Sequence, residues 1–147
     1  INPYHLRNSF HDFENIFESG RVGVLGSQVQ SGSNRILRLM GRSYAAEDWV
    51  KCMRSVHNRF PNIFLLTHLL VGFPTETEED FRMTSRLLDQ VPLDYAVVFK
   101  FSRRQNVPAS RLPGQVLPNI AEKRYNMLKL KTNLNIFNRT VQRYIWK

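Results

Sequence analysis

Three polar clusters have the composition of ligand-holding loops: Gln28-Val-Gln-Ser-Gly-Ser33, Thr67-His-Leu-Leu-Val-Gly-Phe-Pro-Thr-Glu-Thr77 and Phe99-Lys-Phe-Ser102. Gln30, Ser31 and Ser33 can exchange hydrogen bonds with hydroxyls, and glycine at 32 and 72 allows close backbone approach or a positive φ. That is chemistry for gripping a small molecule. Cys52 is the only cysteine, so neither a disulfide framework nor a cysteine-held zinc or iron–sulfur site can be assembled from this chain alone. His5, His11, His57 and His68 are scattered without an i, i+4 pair, which gives a histidine metal site little support.

Such loops need elements that bring them to one place. Phe10, Phe13, Ile16 and Phe17 share one helical face that Ser19-Gly20 closes. Arg21–Leu25 reads as a short strand, followed by a turn at 30–33 and a helix carrying Ile36, Leu37 and Met40. Trp49, Cys52, Met53, Val56 and Phe60 recur at helical spacing up to Pro61-Asn62, which places Cys52 on a buried stripe as a small inert hydrophobe. Ile63–Val71 is nearly continuous in apolar residues, as in a parallel strand covered on both faces. Thr77 and Asp80 form a capping box for a helix carrying Phe81, Thr84, Leu87 and Leu88, and Asp94–Phe99 is a third strand.

The last segment is a long helix. Asn119 and Glu122 read as its N-cap and third residue, and Ile120, Met127, Leu130, Leu134, Phe137, Val141 and Tyr144 as its core-facing stripe, with the basic face opposite. Residues 122–147 carry Lys123, Arg124, Lys129, Lys131, Arg139, Arg143 and Lys147 against Glu122 alone, which is +6 of the formal +9. A positive field of this kind attracts polyanions such as RNA without sequence preference, although a solvated helix face has the same composition. Strands alternating with helices give a parallel α/β sheet, either part of a barrel or a small doubly wound layer, with ligands expected at the carboxyl ends of the strands.

At 147 residues and 42% hydrophobic content one core is expected. No apolar run reaches the ~18 residues that span a bilayer, and the N-terminus lacks the basic and apolar segments of a signal peptide, so a soluble, cytoplasmic protein with no membrane partner is expected. Its first residue is not Met, and the chain reads as a piece of a larger protein.

In order and spacing, Gln30-Ser-Gly-Ser-Asn-Arg-Ile-Leu-Arg-Leu-Met-Gly-Arg42, Val71-Gly-Phe-Pro-Thr-Glu-Thr-Glu-Glu-Asp-Phe81 and Phe99-Lys-Phe-Ser102 resemble the fourth, fifth and sixth βα units of the radical S-adenosylmethionine methylthiotransferases. The resemblance runs from about Asn2 to about Arg124. It implies the later half of a partial, TIM-like (β/α)6 barrel in residues 1–118, with 119–147 as a basic C-terminal helix. It also implies S-adenosyl-L-methionine as cofactor and a 4Fe-4S cluster whose CxxxCxxC ligands are absent from this chain, so that the chain by itself is inactive. In the complete protein, the implied reaction adds a methylthio group to a tRNA adenosine.

By the same resemblance Gln30, with Ser31 beside it, matches the ribose-holding glutamine, and Arg42 the arginine that pairs with the methionyl carboxylate, a role suited to a guanidinium. His68 stands where the family often has Asp, so a charged pairing with the ribose is lost. Gly72 matches the loop near the adenine, and Lys100, Phe101 and Ser102 the strand end whose backbone reads the adenine edge. Arg104-Gln-Asn-Val-Pro-Ala109 departs from the family's Arg-x-Gly-Thr-x-Ala, with Asn106 and Val107 in place of Gly and Thr, which leaves the substrate open. A ribosomal-protein methylthiotransferase or another radical enzyme of this type is therefore an alternative, as is a non-catalytic RNA-binding domain. Half a barrel also exposes strand edges and one sheet face, which implies a missing N-terminal half or self-association through those edges.

Overall fold

The computed structural model describes residues 1–104 and 107–144, the side chains of 142–144 excepted. Gln105 and Asn106 of the divergent loop, and the side chains of Arg143, Tyr144 and Lys147 of the basic helix, therefore lie outside the described residues. The elements in order are α1 (Pro3–Asn8), α2 (Phe10–Glu18), β1 (Val24–Gly26), α3 (Asn34–Leu39), α4 (Ala46–Arg59), β2 (Phe64–Val71), α5 (Glu78–Gln90), β3 (Tyr95–Lys100), a 3-10 turn (Pro108–Arg111) and α6 (Pro118–Tyr144). The strands form one parallel sheet in the order β1-β2-β3, with Gly26 beside Leu66 and Val71 beside Lys100.

One face of the sheet is closed. Leu65, Thr67, Leu69 and Val71 of β2 point into a core shared with Trp49, Met53 and Val56 of α4, Phe81, Leu87 and Leu88 of α5 and Leu128 of α6. Each fully buried side chain of this size contributes about 1.5–3 kcal/mol. The other face is open, contrary to the expectation of a strand covered on both sides. Val24, Phe64, Tyr95 and Phe99 are exposed there, and His68 and Leu70 are half-buried. An alternating burial pattern replaces the continuous one because all the described helices after the strands pack on one side.

Beyond Gly26 the β1 ladder is interrupted. The register shifts from Gly26 beside Leu66 to Gln30 beside Leu69, so the 27–30 segment holds one residue more than its partner. Thr67 bridges the gap: its hydroxyl donates to the Ser27 carbonyl (2.8 Å) and accepts from the Val29 amide (3.3 Å). Gln30 leaves the bulge at φ +69° and rejoins β2 through its amide to the His68 carbonyl (2.9 Å) and its carbonyl from the Leu70 amide (2.8 Å).

Two helix readings change. Asn2 caps an additional helix, α1, by accepting the Tyr4 amide (3.0 Å) with Pro3 in the first turn. The long helix starts at Pro118, with the Ala121 amide bonded to the Leu117 carbonyl, so Asn119 lies inside it and Glu122 pairs with Lys100 instead of closing a capping box. Its facing is also inverted. Arg124, Leu128 and Thr132 are buried against the body, while Ile120, Met127, Leu130, Leu134 and Phe137 are exposed. In α2, Ile16 turns outward while Phe17 is buried.

Candidate functional site

Parallel strands with their crossovers on one side deliver all three carboxyl ends to a common rim. Gln30 is tied to the backbone of His68, the His68 ring meets the Phe99 ring edge-on at 5.3 Å, and the Phe101 amide donates to the Val71 carbonyl (2.8 Å). Gln30 and Phe101 thus lie just past the ends of β1 and β3, with His68 between them on the open face of β2, three residues before its end. Phe73 packs edge-on against Phe101 (5.3 Å), and a cavity of about 390 Å³ opens beside Gly72, Lys100, Phe101, Arg103 and Ala121. Ser102 is exposed just past the β3 tip.

The remaining residues singled out from sequence divide into outward and inward ones. Arg42 follows α3, its amide bonded to the Leu37 carbonyl, and its guanidinium is exposed with no ion pair among the described residues. Ser31 is fully buried: its hydroxyl is 3.2 Å from that of Thr84 and accepts the Ser33 amide (3.1 Å), so it shapes the loop from beneath. The two glycines have packing reasons. A Cβ on Gly32 would lie 2.3 Å from the Met83 carbonyl oxygen of α5, and Gly72 has φ +75° with its Cβ position 2.9 Å from Ala121.

Two buried carboxylates fix the rim, and neither was singled out as a site residue. Asp80 accepts from Ser33 (2.5 Å), from the Thr77 amide (2.8 Å) and hydroxyl (2.7 Å), and from Arg35. Burial pushes its carboxyl up, but these donors together outweigh burial and hold it well below the usual carboxylate range. Glu76, whose side chain is wholly enclosed, accepts the Gly72 amide (2.8 Å) and Arg124 Nη1 (2.9 Å). Its Oε1 and Arg124 Nε find no partner among the described residues, and burial raises the Glu76 carboxyl against the lowering pull of Gly72 and Arg124. In the sequence Glu76 is one of four acids in 76–80, with nothing local to mark it as the buried one beside Asp80; its partner is 48 residues away.

The basic face of α6 is largely engaged within the molecule. Arg124 pairs with Glu76, Lys131 with Asp89 (2.6 Å) and Arg139 with Asp94 (3.8 Å), while Lys129 lies over the Tyr125 ring. At the β3 tip, Lys100 holds Glu122 and covers the same ring, and its bond keeps the Glu122 carboxyl below its ordinary value.

The donor set suits a ligand with a carboxylate at one end and a hydroxylated aromatic group at the other: an unpaired guanidinium, a primary amide, an imidazole and aromatic walls. It does not suit a metal cluster. Cys52 is half-buried on α4 with its thiol pushed up by burial and by Asp48, and no metal-holding group of His, Cys, Asp or Glu occurs among the described residues.

Residues 1–88 match the model of the Radical SAM superfamily. Over 121 residues the chain is 39% identical to a tRNA-2-methylthio-N(6)-dimethylallyladenosine synthase of Tropheryma whipplei, covering 78% of this chain and 26% of that protein. A synthase of the same name from Thermobifida fusca is 41% identical over 100 residues (68% of this chain, 20% of that one), and one from Staphylococcus aureus 34% over 122 residues (82% and 24%). The chain therefore spans about a quarter of the length of these curated relatives. Among solved structures, the radical SAM enzyme coproporphyrinogen III oxidase of Escherichia coli superposes with a TM-score of 0.61 at 16% identity, covering 97% of this chain and 30% of that one. The archaeal Methanocaldococcus infernus Elp3 gives 0.53 at 16% identity, covering 89% of this chain and 41% of that one. These two likenesses bear on the fold, which is that of a TIM-like barrel segment.

Proposed function

The chain belongs to the Radical SAM superfamily, and from that premise we propose that it forms the S-adenosylmethionine-binding strand ends of a methylthiotransferase acting on tRNA. The observation that carries this reading is the placement of Gln30 and Phe101 at one rim, with His68 tied to Gln30 just inside it, in a chain whose sequence is similar to tRNA-modifying synthases over most of its length. S-adenosylmethionine, when bound, would supply the one-electron chemistry that activates an unreactive carbon, with the electron coming from the 4Fe-4S cluster of the complete protein. This chain's residues bind and orient it. Arg42 clamps the methionyl carboxylate, Gln30 and His68 hold the ribose hydroxyls, and Gly72, Lys100, Phe101 and Ser102 enclose the adenine between aromatic walls and backbone. Ser31 acts through the loop that it shapes.

The 4Fe-4S cluster belongs to the part of the protein that supplies the earlier strands, because Cys52 alone cannot hold it. Those strands also cover the open sheet face bearing Val24, Phe64, Tyr95 and Phe99. No helix among the described residues is long and apolar enough to cross a membrane, and the proposed tRNA substrate supports a cytoplasmic location. Because three cations of α6 are held by Glu76, Asp89 and Asp94, tRNA is gripped mainly by other surfaces.

The test is a chimaera in which this chain replaces the matching segment of the Tropheryma whipplei synthase, loaded with its cluster without oxygen. It should bind S-adenosylmethionine at equilibrium, release 5′-deoxyadenosine and methylthiolate tRNA, with Arg42→Ala raising the S-adenosylmethionine Kd at least tenfold. A folded, cluster-bearing chimaera that binds no S-adenosylmethionine, or whose affinity is indifferent to Arg42→Ala and Gln30→Ala, sinks the reading.

A further inference from the structure

The solvent face of α6 has a repeat that helix packing on the barrel does not require. Ile120, Met127, Leu134 and Val141 recur every seven residues, and Lys123, Leu130 and Phe137 do so three places on. This is the a/d pattern of a two-helix seam. Five of its apolar side chains are 39–66% exposed, whereas Arg124, Leu128 and Thr132, on another side of the same helix, are buried against the body.

We propose that this seam joins two copies of the chain as an antiparallel helix pair. A two-fold axis level with Thr132 sets Leu130 opposite Leu134 of the second copy, Met127 opposite its Phe137 and Lys123 opposite its Val141, so the unbranched Met lies along the ring, no two cations meet and the one cation lies along an apolar neighbour. A parallel pair would set Lys123 against Lys123 and Phe137 against Phe137. The seam's flanks carry no code for a different partner. Asn126, Asn133 and Thr140 on one side are uncharged, and on the other Arg124 and Lys131 are already held by Glu76 and Asp89. Residues 120–141 run about 33 Å, and two such seams approach the lower bound, on the order of 1,200 Å² in total, at which specific interfaces hold. The +9 charge of each copy is screened over about 8 Å in physiological salt.

Sedimentation equilibrium of the 147-residue chain at tens of micromolar in physiological salt should show a dimer. Leu134→Glu and Leu130→Lys should each give monomers with unchanged helical circular dichroism, and an equimolar mixture of the two should restore the dimer, because position 134 faces position 130. The milder Leu134→Ala should weaken the dimer at least tenfold. A monomeric parent chain overturns the proposal. So does a dimer that survives both charged substitutions, which would place the contact at the β1 strand edge, or restoration by Leu134→Glu mixed with Leu134→Lys, which would mean parallel helices.

Discussion

Asp80 and Glu76 are both buried carboxylates at the start of α5, and they differ in what meets them. Asp80, at the junction between the first and second βα units, receives donors from α3, from Thr77 and from Ser33 until its oxygens are fully engaged. Glu76, at the junction with α6, has one oxygen bonded to Gly72 and Arg124 and the other bare, against a guanidinium whose Nε is equally unpartnered. The first junction is a saturated clasp and the second an enclosed ion pair with capacity in reserve. The donors that a buried carboxylate collects decide the direction of its shift, so one protein moves the same chemical group in opposite directions at two neighbouring sites.

The contrast breaks most forcefully at the second junction. Glu76→Ala leaves the buried Arg124 with only the exposed Glu78, 3.6 Å away, as counter-charge and should cost about 4 kcal/mol, read by urea unfolding. Asp80→Ala should cost about 3 kcal/mol, somewhat less because Arg35 is partly exposed and can return to water. If Asp80→Ala proves the more damaging, the clasp and not the enclosed pair dominates the rim. Gly32→Ala should cost about 2–3 kcal/mol, since its Cβ meets backbone of α5 that cannot swing aside.

Acid should separate the two sites by sign. Asp80 is depressed in the folded protein, so its contribution is complete above the unfolded value near 3.9 and is lost as pH falls below it. Glu76 is raised, so its contribution is complete below the unfolded value near 4.3 and is lost as pH rises through the folded one. Unfolding as a function of pH should therefore show Asp80→Asn flattening the acid limb, and Glu76→Gln removing the decline that the parent shows as pH rises through the Glu76 titration. Curves that coincide for the two amides would erase the distinction. The smallest effect belongs to Thr75, a β-branched residue held at φ +69° just before Glu76, its hydroxyl accepting from Arg35 (3.0 Å). Thr75→Asn should raise stability by about 0.5–1 kcal/mol in the same titrations.

The clasp was partly legible in advance and the ion pair was not, for a physical reason. The Thr77 and Asp80 spacing is local, three residues within one helical turn, and it reads directly as a cap. The strands were equally legible, each within two or three residues of its bounds, because apolar runs between turn residues are local as well. The facing of α6 was not. Periodicity reveals that a stripe exists but not which stripe faces the core, and here the buried one carries Arg124 and Thr132, acceptable inside only because Glu76 arrives from another unit. The open sheet face was missed on the β2 run itself, whose continuous apolar character is shared by strands covered on one side and on both. Of the residues expected at the rim, Gln30, His68 and Phe101 could be placed from strand order alone, whereas the inward turn of Ser31 depends on Thr84, a contact across 53 residues.

The single surplus residue in the 27–30 bulge has a metric consequence. It acts as a vernier: an unbroken ladder would carry Gln30 to the level of Leu70, and the bulge draws it back one rung, about 3.3 Å, to that of Leu69. The reach of the first loop is thereby trimmed in a step finer than any helix turn could offer, and Thr67 keeps the trimmed setting from slipping.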